Sequence, residues 1–501
     1  MKNIAIHQGD KVLRAQAPEG TRLLDVIQQS QRHIHALCGG KGTCRKCTVE
    51  VEGEGKVLAC QYLVHKDISI KLSEKHAAKI LELSETLEKK VMFDAGLASP
   101  APGDNPVYGI AVDIGTTTIV IYLENLVDYS LVDVAAFLNP QHIYGQDVIS
   151  RVNYTIENRQ GLDILQKTII DATNNSLMTL CARNNIDKIQ IAKVIFVGNT
   201  IMLHLLLGID PSPIAVAPFT PRFVDMQQRT GKEMNLYADP GAIVKTLSSL
   251  AGYVGADIIA GLAATPIPFS DKYSLYLDIG TNGEIALGNK DKIYCCATAA
   301  GPAFEGARIA CGTGGVEGAL SKFKNGKYET IGNEKIAGIC GSGLIDVIAY
   351  LLDSNAIDET GHMENDFIIE KQAHTGTDHD IVLTPKDIRE TQLAKAAIYA
   401  GILIMMKVAK ISFEQIDTVY LAGGFGNYMD PDSAMRIGLI PRELGGKIKQ
   451  IGNGAGTGAR LALKSVEFER EIEKTVKQCE YIELSMRQDF NDEYVNGMMF
   501  I

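Results

Sequence analysis

Cys38, Cys44, Cys47 and Cys60 stand in the pattern C-x5-C-x2-C-x12-C, with Gly39, Gly40 and Gly42 in the first gap. In a reducing compartment thiols packed this closely are metal ligands, whereas in an oxidising one they are disulfide partners. The opening MKNIAIHQGDKV has no long apolar core and so no signal-peptide character. A cytosolic chain and a metal-ligand set are therefore expected. Three ligands from one glycine-rich loop and a fourth from a nearby turn suit a 2Fe–2S cluster, because the glycines bring backbone N–H groups close to the sulfurs. A structural zinc site of four cysteines is the alternative, but it prefers two C-x2-C knuckles and only Cys44–Cys47 forms one.

A second chemistry is written twice. DIGTTT (Asp113–Thr118) and DIGTNGE (Asp278–Glu284) each place a carboxylate at the end of an apolar strand, with a glycine two residues on. At such a turn Gly115 or Gly280 lets phosphate oxygens approach the backbone. The polar residues that follow, Thr116 and Thr117 or Thr281 and Asn282, supply donors. Asp113 and Asp278 are placed to hold Mg²⁺, usually through water, between the β- and γ-phosphates of ATP. One such turn is weak evidence, since Asp and Gly are ordinary turn residues. The third segment, LAGGFG, changes that: Gly423 and Gly424 lie between a strand and a helix and leave a slot for a planar adenosine. A carboxylate that orients the attacking water is also required. Asp147, in YGQDVISR, is the first candidate and Glu284 its rival, although either could be a surface acid or a helix cap.

These residues need positioning elements. At 501 residues the chain exceeds one hydrophobic core. Residues 1–72 carry short β-rich pieces, with a Gly9-Asp10 turn and a helix LLDVIQQS that Thr21 is placed to cap. Residues 73–92 are helix-forming and run into a Pro/Gly-rich stretch, so 73–106 is expected to be a linker with a helix. Residues 107–501 contain an internal repeat, YGIAVDIGTTTIVIYLE at 108–124 against YSLYLDIGTNGEIALGN at 273–289. Each copy is followed downstream by a strand, a Gly turn and a helix, so two related lobes are expected, about 107–270 and about 271–501. The net charge of −11 makes a nucleic-acid partner unlikely on physical grounds, and the apolar stretches near Ile195–Ile209 and Ala396–Val408 are interrupted too often for a membrane span. Residues 1–75 hold 12 Lys and Arg against 8 Asp and Glu, a local excess that suits an anionic cluster.

The two DIGT turns and LAGGFG resemble the phosphate-1, phosphate-2 and adenosine motifs of the superfamily containing actin, sugar kinases and heat-shock chaperone ATPases. That resemblance implies an α/β multidomain protein: a β-grasp ferredoxin-like domain, then two ribonuclease-H-like lobes closing on Mg-ATP. The fusion is more specific than either part. It resembles the ATP-dependent reductive activators of corrinoid methyltransferase systems over nearly the whole chain, through the cluster loop, DIGTTT, GQDVISR, VGNTIMLHLLLGI, GPAFEGARIACGTGG, ICGSGLIDVIAYLL, LAGGFGNYMD, GNGAGTGARLAL and the closing YIELSMRQDFNDEYVNGMMF. The resemblance implies that an electron from a low-potential donor such as a ferredoxin passes through the cluster to a corrinoid protein, returning Co(II) to Co(I) while ATP is hydrolysed. A one-electron shortfall of roughly 200 mV needs about 5 kcal/mol, within reach of nucleotide-driven closure.

Two departures qualify it: longer members carry an extra small domain after the linker, and Cys479 stands alone where archaeal relatives have a C-terminal Cys-rich motif. A homodimer stays open. Cys311 or Cys340 holding a further cluster, as in activators of 2-hydroxyacyl-CoA dehydratases, competes with ordinary buried thiols, as does a ligand role for His204 with an interior histidine. The rival functions are an activator of another low-potential enzyme such as such a dehydratase, a redox-sensing small-molecule kinase, and a non-catalytic redox-dependent binding module.

Overall fold

The computed structural model describes residues 1–8, 11–30, 47–72, 92–97 and 107–500. Cys38 and Cys44 with their glycines, the Gly9-Asp10 turn, nearly all of the helix expected over 73–92 and most of the remaining linker lie outside these residues. The described residues fall into two compact units: those of 1–77 with 141–151, and those of 78–140 with 152–501.

In the first unit, β1 (Lys2–Gln8), β2 (Lys11–Ala17), β3 (Thr48–Val51), β4 (Gly55–Leu58) and β5 (Ile68–Leu72) form one sheet in the order β2-β1-β5-β3-β4. β1 runs parallel to β5 at its centre and the other pairs are antiparallel. Ile4, Ile6, Val49, Val51 and Ile70 alternate along the strands onto one face, where they bury against Leu23, Val26 and Ile27 of the helix Leu23–Gln29. Among the described residues this is the mixed β domain with one helix that the sequence implies. Thr21 does not cap that helix; its hydroxyl donates to the Pro18 carbonyl at 2.8 Å, while its own carbonyl accepts from Val64 N–H. The turn entering the helix takes the side chain that a cap would have used.

The second unit repeats one sheet. In lobe one, β6 (Tyr108–Ile114), β7 (Thr118–Asn125), β8 (Leu131–Leu138), β9 (Ile191–Gly198), β10 (Gln227–Thr230) and β11 (Ile243–Thr246) lie in the order β10-β11-β9-β6-β7-β8. In lobe two, β12 (Tyr273–Ile279), β13 (Gly283–Gly288), β14 (Ile293–Thr298), β15 (Ile416–Ala422), β16 (Ile448–Gly452) and β17 (Cys479–Tyr481) lie in the order β16-β15-β12-β13-β14-β17. In each lobe an antiparallel meander carries the DIGT turn at its first hairpin, and a later strand adds in parallel beside the first: β9 beside β6, β15 beside β12. A parallel neighbour requires a long crossover. The helices Gly161–Asn184 and Pro385–Ala409 lie in the two crossovers. The second is the one helix among the described residues long and apolar enough to cross a membrane, but 67% of its most apolar window is buried inside the fold. It begins at a capping box in which Thr384 and Asp387 exchange hydrogen bonds ahead of Pro385.

The last helices return to lobe one. Gly454–Lys464 packs against Ala256–Ala264 and strands β6 and β9. Glycines permit the close approach: a Cβ at Gly458 would stand 2.3 Å from the Ala260 carbonyl oxygen. At its far end Arg460 and Lys464 both pair with the fully buried Glu124 of β7. The next helix, Val466–Gln478, brings in Glu469, whose carboxylate pairs with Lys193 at 2.7 Å and Lys245 at 2.6 Å. Lys193 also donates to the carbonyls of Ala95 and Ala462, while Asp94 exchanges backbone bonds with Lys464 and Val466. Asp94 and Ala95, within the expected linker, are therefore fastened to this helix junction.

Candidate functional site

Both DIGT turns close on a backbone bond: Gly115 N–H donates to Thr118 O at 2.9 Å, and Gly280 N–H to Asn282 O at 2.8 Å; Asn139 Nδ2 also donates to Gly115 O at 2.9 Å. Each turn ends a buried strand whose penultimate residue is the aspartate, so Asp113 and Asp278 emerge half-buried at corresponding edges of the two sheets. In the β12–β13 register Glu284 stands opposite Asp278. Asp257, two residues into the helix Ala256–Ala264, completes a group of four acids that feel one another across the cleft.

The electrostatics record that crowding. Burial raises Asp113 to about 6, against a hydrogen bond from Asn453 that lowers it. Burial and then the charge of Asp113 raise Asp278 to about 7, and the same two causes lead in raising Asp257 to about 8. Glu284 is pushed well above the carboxylate range by burial, with Asp257 and Asp278 adding to it. Acids driven towards neutrality in one cleft are what a divalent cation would return to the charged form. Among the described residues no three His, Cys, Asp or Glu converge tightly enough to ligate an ion directly. These carboxylates could hold a magnesium ion through its waters, since that ion usually keeps several of them.

The donors surround the same cleft. Thr117 and Thr281 both donate their hydroxyls to Glu305 Oε2, at 3.2 and 2.8 Å. Thr116 Oγ1 accepts from Asn199 Nδ2 at 3.1 Å, and Asn199 is also the N-cap of the helix Thr200–Leu207. Asn453 does two jobs: its Nδ2 donates to Asp113 Oδ2 at 2.9 Å while its Oδ1 caps the helix Gly454–Lys464. Gly423 has φ +83°, and a Cβ there would stand 2.4 Å from Asp278 Oδ1; a Cβ at Gly424 would meet nothing within 4 Å. That open face beside the acids is a cradle that any side chain would fill, as a bound nucleotide requires.

Asp113, Asp278, Gly115, Thr116, Thr117, Gly280, Thr281, Asn282, Gly423 and Gly424 thus all belong to the second unit, around or beside this cleft. Asp147 belongs to the first unit. It precedes the helix Val148–Glu157, and its two carboxylate oxygens accept from Ser150 N–H and Oγ, each at 2.8 Å. This is the geometry of an N-cap, the alternative that the sequence left open.

Asp257, Asn199, Glu305 and Asn453 are the residues that sequence reasoning missed. Each had a signal: GAD and GNT open helices after a glycine, GNG opens the helix after β16, and Glu305 closes GPAFE after a meander that repeats β6–β8.

In the first unit Cys47 and Cys60 are buried, and Ala59 N–H donates to Cys47 O at 2.9 Å, which ties the chain next to Cys60 to Cys47. Gln61 Nε2 donates to Cys60 Sγ at 3.6 Å. Two buried thiols with an N–H donor aimed at one sulfur fit an iron–sulfur ligand set. Cys38 and Cys44 lie outside the described residues.

Elsewhere, His204 is a satisfied interior residue: its Nδ1 bonds to Thr200 O at 2.7 Å and its Nε2 accepts from Arg222 N–H at 3.2 Å. Burial lowers its pKa. Cys311 and Cys340 are buried and donate to the carbonyls of Asp380 and Leu320.

Residues 2–75 match the 2Fe-2S iron-sulfur cluster binding domain family, 108–268 the RACo middle region, and 272–501 the C-terminal domain of RACo, described as an ASKHA domain. The chain is 33% identical to the corrinoid activation enzyme RamQ of Eubacterium limosum, over 95% of each chain. It is 26% identical to the Co(II) methylated amine-specific corrinoid protein reductase of Methanosarcina barkeri, over 78% of this chain and 76% of that one. A solved structure described as a reductive activator for corrinoid, iron-sulfur protein matches 100% of this chain and 98% of its own, with a TM-score of 0.75 at 29% identity.

Proposed function

The chain belongs to the RACo family of corrinoid activation enzymes, and on that premise we propose that it returns the cobalt of a corrinoid protein from Co(II) to Co(I), driven by ATP hydrolysis. The observation that carries this reading is the presence in one polypeptide of a cysteine-bearing ferredoxin-like domain and a cleft lined by two DIGT turns and four acids.

When bound, a 2Fe–2S cluster supplies one-electron transfer and Mg-ATP supplies the free energy of phosphoryl transfer. Cys38, Cys44, Cys47 and Cys60 would hold the cluster. Asp113 and Asp278, with Asp257 and Glu284 beside them, would position the metal ion's waters. Thr116, Thr117, Thr281 and the backbone at Gly115, Gly280 and Asn282 would donate to phosphate oxygens, and Gly423 and Gly424 would face the adenosine. Asn453 ties Asp113 to the start of the helix Gly454–Lys464, whose far end accepts a backbone bond from Asp94. The electron donor in this reading is a low-potential protein of the ferredoxin type, and the site of action is the cytoplasm.

The test is anaerobic spectroscopy of a candidate corrinoid protein mixed with the activator and a low-potential reductant, scored for Co(I) with and without ATP. ATP-dependent Co(I) formation is expected. ATP turnover with phosphoryl transfer to a small acceptor and no cobalt reduction would favour a redox-sensing kinase. Turnover stimulated by a dehydratase instead would reassign the partner.

A further inference from the structure

Glu305 sits where the two phosphate turns meet. It ends the short turn Pro302–Glu305 of lobe two, yet its Oε2 accepts at once from Thr281 in its own lobe and from Thr117 in lobe one, 188 residues away in sequence. Its other oxygen stands 3.8 Å from where a Cβ on Gly280 would be, over the open face of the second turn. The carboxylate therefore lies in the mouth between both turns and takes up the hydroxyl of one threonine from each.

A threonine hydroxyl carries a single proton and can donate one hydrogen bond at a time. Thr117 and Thr281 cannot serve Glu305 and a phosphate oxygen together. A carboxylate left beside a triphosphate would also meet like charge in a cleft already crowded by Asp113, Asp257, Asp278 and Glu284. From this geometry we infer that Glu305 is an internal latch that holds the place of a nucleotide phosphate, ties the lobes through Thr117 and Thr281, and must be displaced when a phosphorylated nucleotide binds. The latch holds the two turns in the orientation a phosphate needs, and makes their engagement conditional on an anion strong enough to take both hydroxyls. It rests on the nucleotide reading given above.

Titration calorimetry on the anaerobic full-length protein tests it, using a non-hydrolysable Mg-ATP analogue and, as the control, adenosine. Glu305→Gln keeps the shape but exchanges charged for neutral acceptors, which halves the strength of each bond. The analogue should bind about tenfold more tightly to Glu305→Gln, and at least as tightly to Glu305→Ala, while adenosine is unaffected. Equal or weaker analogue binding by both variants overturns the latch. So does reduced turnover with unchanged affinity, which would make Glu305 a residue that positions the attacking water. If the unmodified protein binds no nucleotide, the functional reading fails instead.

A second measurement needs no variant. In a crystal structure with the analogue, Thr117 and Thr281 should donate to phosphate oxygens with Glu305 out of reach; a Glu305 still accepting from both threonines overturns the proposal.

Discussion

Adding one methyl group at either of two adjacent glycines should have opposite effects on the nucleotide-free fold. At Gly424 a Cβ meets nothing within 4 Å, so Gly424→Ala leaves the nucleotide-free fold intact. Alanine in the first turn of the helix Gly423–Tyr428 would, if anything, stabilise it by up to about 1 kcal/mol. The damage appears only with ligand. A methyl pushed into a filled slot costs about 1–3 kcal/mol, which weakens ATP binding by about 5- to 150-fold. At Gly423 the order reverses. The backbone is left-handed at φ +83°, and the Cβ would stand 2.4 Å from Asp278 Oδ1. Strain of this kind costs about 1–3 kcal/mol before any nucleotide is present, so Gly423→Ala should melt a few degrees lower and bind ATP poorly because Asp278 is displaced. Differential scanning fluorimetry and calorimetry on both variants separate the two effects. Gly424→Ala binding ATP within twofold of the parent would refute the placement of the adenosine. Gly423→Ala melting and binding like the parent would refute the contact between this turn and Asp278.

Further expectations concern the acids, the cysteines and the buried ion pairs. The folded pKa of Asp257 is raised to about 8, so its contribution is fully present below about pH 4, where the unfolded carboxylate is also protonated, and is lost as pH rises to about 8. In metal-free protein Asp257→Asn should therefore be more stable than the parent at pH 8 and above, with the difference closing towards pH 4, while ATP-dependent reduction falls; chemical denaturation across pH measures it, and a pH-independent difference would discard the linkage. Cys60→Ala should lose the visible spectrum of an oxidised 2Fe–2S centre together with cobalt reduction; normal Co(I) formation by that variant would remove the cluster from the mechanism. Glu469→Ala leaves Lys193 buried without its carboxylate partner, at a cost of about 3–5 kcal/mol by urea denaturation, whereas a loss below 1 kcal/mol would show that the lysine relaxes to solvent.

Much of this protein was legible before any coordinates. The DIGT duplication became two sheets of matching order because a run such as YGIAVDI or YSLYLDI is apolar enough to be buried on both faces, and the turn that follows is fixed by local backbone bonds. Local chemistry also carried the small β domain around Ile4, Ile6 and Ile70. It misled at Thr21, where the local turn bond to Pro18 took the side chain, and it could not decide whether Asp147 serves as a cap or in catalysis.

What the amino-acid sequence determined by itself was the set of chemistries: four spaced thiols, two aspartate turns and a double glycine, each defined by residues within a few positions of one another. Only the tertiary structure decided which further groups join them. Asp257, Asn199, Glu305 and Asn453 come from segments far apart in the chain, and no periodicity or spacing links them, because they meet only once two sheets and a returning helix have packed. The perturbed acidities have the same origin: burial in the packed lobes raises all four, and neighbouring acids add to it for Asp278, Asp257 and Glu284.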